Sequence, residues 1–233
     1  MDSYQIVLDD DLLLDYYQFK SGNMLNANRT TRLLNFYKPH LTNVSQLIRI
    51  NKGDNALKQQ LAQAGYTTQS VQDLANLTKL KLILSSTNNL YPYVNVMGND
   101  DLDINFTGTF KNTPRQKAMD HIKSLCAHAN SIFIYDKYLG NKTPQLLNNL
   151  FGLFPTKKYS LLYQRDQLSQ VTISAWKSIN PNVTIKEDTR GSYRDFHDRY
   201  LVIDNKIEII LSSGFDNLLS GTNDFTYVLR VLS

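Results

Sequence analysis

A chain of 233 residues with 42% hydrophobic and 11% aromatic side chains suits one large packed domain or two small ones. No apolar run approaches the ~20 residues that cross a bilayer, and Met1-Asp2-Ser3 opens without the basic and apolar regions of a signal peptide, so a soluble cytoplasmic protein without a transmembrane segment is expected. The single cysteine, Cys126, excludes an internal disulfide and a cysteine-based zinc site.

The formal net charge of +4 is unevenly shared. Residues 1–110 hold 9 Lys/Arg against 10 Asp, whereas residues 111–233 hold 16 Lys/Arg against 11 Asp/Glu. The basic excess lies in the C-terminal half, which agrees with an anionic partner such as nucleic acid or a phospholipid headgroup.

In chain order, Tyr4 to Leu8 reads as a strand or the lead into a helix, and Leu12 to Phe19 as a helix. The carboxylates of Asp9-Asp10-Asp11 between them fit a helix N-terminus, where the dipole favours negative charge, better than a metal site without spaced ligands. Ser21 to Asn28 reads as a loop, and Arg29 and Arg32 as exposed arginines at the start of a helix rather than a phosphate site. Asn55 to Ala64 and Thr68 to Leu77 have helical periodicity, with Gly65 as a stop. The period then changes to strand alternation at Lys79–Leu84, Tyr91–Met97 and Asp103–Phe110. The first 110 residues therefore read as a small α+β domain, in which Tyr91 and Tyr93 serve packing.

Thr113 and Pro114 supply an N-cap and first-turn proline for a helix through Ala118, Ile122, Leu125, Cys126 and Ala129, with His121 and His128 as exposed or capping residues. A buried strand follows at Ile132–Tyr135 and carries Asp136 and Lys137 beyond its end. Helices at 145–154 and 167–177 alternate with strands at 159–163 and 183–186, and three more strands begin near Tyr200, Ile207 and Phe225. Interleaved elements early and paired strands late predict an α/β fold, a mixed sheet covered by helices, over residues 111–233.

The richest stretch is Phe196-His197-Asp198-Arg199 leading into Tyr200–Ile203 and Asp204. Alternation along a strand brings His197 and Arg199 to one side, an imidazole able to act as nucleophile or acid/base beside a permanent fork-shaped donor for phosphate oxygens. Asp204 ends the strand, where its carboxylate orients a histidine or caps the following turn. The strand at 207–211 delivers Ser213, Asp216 and Asn217 into the loop beyond it, and Arg190 and Arg194 precede the motif, where they would hold a polyanion at the mouth of the site.

His197-x-Arg199-x-x-x-x-Asp204 resembles the His-x-Lys-x-x-x-x-Asp signature of the phospholipase D superfamily, with Arg in the Lys position. With Ser213-Gly214-Phe215-Asp216 after the next strand, it looks closer still to the phospholipase D-like domain at the C-terminus of MIT-domain proteins and in stand-alone bacterial relatives. The resemblance implies a metal-independent phosphodiesterase, a nuclease above all, without cofactors. His197 would be the nucleophile, Arg199 the clamp on the non-bridging oxygens and Asp204 the group that orients the histidine, with Ser213, Asp216, Asn217 and Lys137 in the phosphate pocket. The family's site uses two such motifs and this chain has one, so the resemblance also implies a homodimer. The alternative is a non-catalytic module that binds phospholipid headgroups at an anionic membrane surface, or nucleic-acid phosphates. Some bacterial relatives resemble components of defence systems.

Overall fold

The computed structural model describes residues 4–98, 102, 106–111, 113–164, 167–189, 191, 193, 196–220 and 223–232. The chain forms two compact units, Met1–Ile104 and Asn105–Ser233. The division falls between Ile104 and Asn105 rather than at residue 110, because the strand at Thr107–Phe110 hydrogen-bonds within the C-terminal sheet.

The N-terminal unit is a parallel four-stranded sheet, β1 (Ile6–Leu8), β2 (His40–Leu41), β3 (Ile83–Ser85) and β4 (Tyr93–Asn95), in the order β2-β1-β3-β4. Helices α1 (Asp10–Lys20) and α2 (Ala27–Phe36) connect β1 to β2, and α3 (Val44–Arg49), α4 (Asn55–Gln63) and α5 (Val71–Asn76) connect β2 to β3. Asp9 caps α1 by accepting from the Leu12 N–H at 2.9 Å, as the acidic run suggests. Burial nevertheless holds its carboxyl above the usual range. Arg29 is not an exposed arginine: its guanidinium forks onto Asp15, which is 2% exposed.

The strand expected at Lys79–Leu84 shrinks to the fully buried β3. Lys81 takes a left-handed conformation (φ 53°) and its Nζ donates to the Asn76 carbonyl, which ends the alternation before the sheet begins.

The C-terminal unit is a mixed seven-stranded sheet: β5 (Thr107–Phe110), β6 (Ser131–Tyr135), β7 (Tyr159–Gln164), β8 (Val183–Asp188), β9 (Arg199–Ile203), β10 (Ile207–Leu211) and β11 (Phe225–Val231), ordered β5-β11-β10-β9-β6-β7-β8. β6, β7 and β8 run parallel through the crossover helices α7 (Pro144–Phe151) and α8 (Gln170–Ile179); β9, β10, β11 and β5 add antiparallel strands. Helix α6 (Gln116–Cys126) precedes β6, and α9 (Phe215–Ser220) joins β10 to β11.

Two local readings give way to packing here. Helix α6 starts later than Thr113-Pro114 predicts, with Arg115 at the N-cap position and no side-chain cap. Arg115 is 3% exposed and donates to the carbonyls of Thr113, Asn217 and Asn223, with its guanidinium over the rings of Phe110 and Phe225; this fixes the helix entry. His121 is neither exposed nor capping but buried, its Nδ1 3.0 Å from the Tyr227 hydroxyl. Gly108 lies opposite Tyr227 in the sheet, and a Cβ there would meet the tyrosine ring at 2.3 Å.

Candidate functional site

Strand register brings three chain segments to one edge of the C-terminal sheet. Tyr135 pairs with Tyr200 across β6 and β9, and Arg199 pairs with Leu211 across β9 and β10. Because both pairings are antiparallel, the ends of β6 and β10 meet the beginning of β9, and Asp136, Arg199 and the Ser213–Asn217 segment converge.

Asp136 is the buried anchor of this edge, with no exposed surface. Its carboxylate accepts from the backbone N–H of Tyr138 at 2.9 Å and of Phe215 at 3.5 Å, so it ties the end of β6 to the start of α9. One oxygen stands 3.6 Å from Arg199 Nε, an ion pair longer than a hydrogen bond. The Arg199 side chain is 19% exposed, another of its nitrogens donates to the His197 carbonyl at 3.2 Å, and its guanidinium lies 5.8 Å from the centre of the Tyr138 ring.

His197 sits in the bend just before β9, exposed, and its imidazole makes no hydrogen bond among the described residues. Among the described residues, the buried Ser213 Oγ has no hydrogen-bond partner, and Arg199 Nε and Asp216 Oδ1 are in the same condition. Buried polar atoms are usually satisfied, so three such atoms around one edge make it a candidate site for a polar ligand.

Asp216 and Asn217 lie in α9 rather than in a loop. The other Asp216 oxygen pairs with Lys142 Nζ at 2.9 Å, and Asn217 accepts from the Asn223 amide at 3.0 Å. Lys142, which sequence reasoning missed, follows the 3-10 turn at Leu139–Asn141 and reaches the site only because that turn folds back over the end of β6. Gln167 was missed as well; its Oε1 accepts from the Asp136 N–H at 3.3 Å. No signal beyond their polarity distinguishes either residue in the sequence. Lys137 is exposed beside Asp136, and Arg190 and Arg194 lie outside the described residues.

Asp204 stands at the far end of β9 from His197. Five strand residues at roughly 3.3 Å each separate it from Arg199 by about 17 Å, so it cannot orient the imidazole within this chain. Its Oδ1 instead accepts from the backbone N–H groups of Asn130 and Ser131, both at 2.8 Å, and locks β9 to the entry of β6 with its own backbone at φ 51°. Nearby Cys126 is fully buried, which pushes its thiol up and leaves it unreactive at neutral pH.

Aromatic rings surround the motif. Tyr193 stacks on Phe133 at 5.0 Å and approaches Tyr200 at 4.6 Å, and Tyr135 donates its hydroxyl to the Phe196 carbonyl at 3.0 Å. Burial, with the Asp198 and Glu208 carboxylates beside it, pushes the Tyr200 phenol up, so this ring stays neutral in the physiological range. Among the described residues no group of three or more His, Cys, Asp or Glu is placed to hold a metal ion, and no helix is long and apolar enough to cross a membrane.

No family model and no characterised relative matches the sequence. Among solved structures the chain is similar to Nuc of Salmonella typhimurium, a phospholipase D family member, over 54% of this chain and 82% of that one, with 16% identity and a TM-score of 0.34. It is also similar to TrmBL2, an archaeal chromatin protein described with a novel mode of DNA binding, over 52% of this chain and 45% of that one, with 10% identity and a TM-score of 0.26. Likeness of this extent assigns neither activity nor partner. The fold is a mixed α/β sheet flanked by helices, and its chemistry rests on the residues themselves.

Proposed function

We propose that the C-terminal unit is a phospholipase D-like phosphodiesterase, acting as a nuclease through His197 in a site completed when two copies of the chain meet. The observation that carries this reading is an exposed His197 imidazole, free of hydrogen bonds among the described residues, two positions before Arg199, whose Nε, like the Ser213 hydroxyl, has no hydrogen-bond partner there. In this scheme an imidazole nitrogen of His197 attacks phosphorus and the bond to the leaving oxygen breaks. That oxygen takes its proton from the imidazolium of His197 in the second copy. Water then attacks the phosphohistidine and gives its proton to the second imidazole, and the P–N bond breaks to restore His197.

Arg199 holds the non-bridging oxygens as charge develops on them, with Ser213 donating from the end of β10 and Lys137 supplying further positive charge. Asp136 keeps the guanidinium aimed, and Lys142 is held in reserve by Asp216. Asp204 acts on the frame of the sheet and not on the nucleophile.

The binding-only alternative is favoured by one feature: Arg199, standing in the Lys position, is ion-paired at 3.6 Å with the buried Asp136 carboxylate. Cleavage of single- and double-stranded DNA and RNA in excess chelator separates the two readings. Activity that survives chelation and falls at least about 10³-fold in His197→Ala supports the nuclease. Oligonucleotide binding without turnover, lost in Arg199→Ala, supports the binding module. Sedimentation equilibrium of the same protein tests the dimer.

A further inference from the structure

We infer that the tip of the α1–α2 hairpin is a membrane-contact surface, where Met24 and Leu25 enter an anionic bilayer while Lys20 and Arg32 meet its phosphates. The inference concerns the N-terminal unit and does not depend on the phosphodiester reading of the C-terminal one.

The sequence leaves these two apolar residues no core to reach. Helix α1 ends in a left-handed Gly22 (φ 77°), with the Gly22 N–H on the Phe19 carbonyl at 3.0 Å and the Asn23 N–H on the Gln18 carbonyl at 2.9 Å. Helix α2 begins at once, its cap Asn26 accepting from the Arg29 N–H at 3.0 Å. Only Asn23, Met24 and Leu25 remain between the two caps, a connection too short to turn back on itself. Met24 and Leu25 are therefore held out in water, 58% and 80% exposed, with Phe19 in the last turn of α1 at 41%.

Apolar residues scattered over a surface are ordinary; consecutive ones on a capped hairpin tip flanked by cations mark a contact. Residues 16–53 hold six Lys/Arg and no Asp or Glu. Arg29 is spent on Asp15 and Arg49 on Asp10, whereas the exposed Lys20 and Arg32 form no ion pair among the described residues. Asp9, Asp10 and Asp11 lie at the opposite end of α1, and Asp54, near Tyr17, caps α4, so the tip itself carries no negative charge.

The depth of these groups selects the occupant. The Lys20 ammonium lies 5.7 Å from the centre of the Tyr16 ring, a turn back from the tip. Arg32 stands five residues beyond Ala27, about 7.5 Å along α2 at roughly 1.5 Å per residue. An interfacial segment sinks about 5–10 Å into the headgroup and acyl boundary, so both cations meet lipid phosphates when Met24 and Leu25 meet the acyl chains. A nucleic acid would draw the same cations but leave two aliphatic side chains, which have no flat face to stack on a base, without a partner.

The test is cosedimentation of the full chain with phosphatidylcholine vesicles, with and without phosphatidylserine. Phosphatidylserine is expected to tighten binding at least about 10-fold, and Lys20→Gln and Arg32→Gln each to weaken it about 5-fold. Leu25→Asp should weaken it at least about 10-fold, with an unchanged Tm because Leu25 is outside the core. In a Leu25→Trp protein the new indole should shift to shorter emission wavelength on these vesicles, against the constant signal of buried Trp176. Absence of binding, or an indole that stays in water, overturns the inference. Binding that survives Leu25→Asp and is lost in Arg199→Ala puts the lipid contact in the C-terminal unit and overturns it too. Tighter binding to an oligonucleotide duplex than to vesicles, lost in Leu25→Asp, would make the tip a wedge between bases and overturn the lipid occupant.

Discussion

At the scale of single residues, the candidate site turns on how Arg199 pairs with the buried Asp136 carboxylate. Removing Arg199 leaves the Asp136 carboxylate without its cation in a place of no exposure, so Arg199→Ala is expected to cost about 3 kcal/mol or more, a fall in Tm of roughly 6–12 °C for a chain of this size. Arg199→Lys keeps the charge without the fork and should fall between wild type and alanine. Adding Asp136→Asn to Arg199→Ala should recover most of the loss, a coupling that thermal melts of the four proteins measure directly. Asp204 gives a second contrast. Asp204→Ala forfeits two short bonds to backbone N–H groups and puts alanine at φ 51°, at a cost of about 2–4 kcal/mol, whereas asparagine retains an acceptor and tolerates that backbone. Asp204→Asn should therefore fold and keep its activity. Activity as low as that of His197→Ala in a folded Asp204→Asn protein would return Asp204 to the histidine.

At the scale of elements, the antiparallel run from β6 through β9 to β10 builds the site, and its outer support is β11 against β5. Gly108 permits that last pairing, since a Cβ there would meet the Tyr227 ring at 2.3 Å and displace the residue that contacts His121. Gly108→Ala is expected to destabilise the C-terminal unit by about 1–3 kcal/mol through overpacking. Hydrogen exchange should report the loss first in β5 and β11, with Arg199 and its neighbours unaffected; uniform loss across the sheet would contradict this account.

At the scale of the whole molecule, the two units differ in charge, and the N-terminal one holds a buried imidazole that couples its stability to pH. His40 packs edge-on against the Tyr16 ring at 4.8 Å and lies 3.2 Å from the Tyr37 hydroxyl; burial, assisted by the nearby Lys20 ammonium, pushes its imidazole down to about 4 from an ordinary 6.5. As pH falls through 6.5 the unfolded chain takes a proton that the folded chain refuses until about pH 4, so the stability of the N-terminal unit should decline across that window and level off below it. Urea midpoints measured from pH 7 to 4 should show this slope in wild type and a flatter one in His40→Gln. Equal slopes would mean that the imidazole is protonated in the folded state.

Much of the architecture was legible because local pattern and tertiary demand agree. Tyr200–Ile203 and Ile207–Leu211 are β-branched, aromatic or apolar runs that satisfy a buried strand pair wherever it lies, and the polar residues at their ends had to emerge at an edge. His197 and Arg199 could be singled out for the same reason. What the chain's pattern could not specify was which strand ends meet. Asp136 becomes the partner of Arg199 only because β6 lies antiparallel beside β9, and Lys142 joins Asp216 only because α9, six residues long and too short for a periodic signature, starts against the end of β6. The same dependence on distant neighbours moved Asp204 to the far end of the sheet, buried His121 against Tyr227, and let the buried Arg115 override Thr113 as the start of a helix. Residue type and spacing alone singled out the candidate groups and most of the strands; tertiary structure decided their pairing, because contacts between positions dozens of residues apart outweigh local preference.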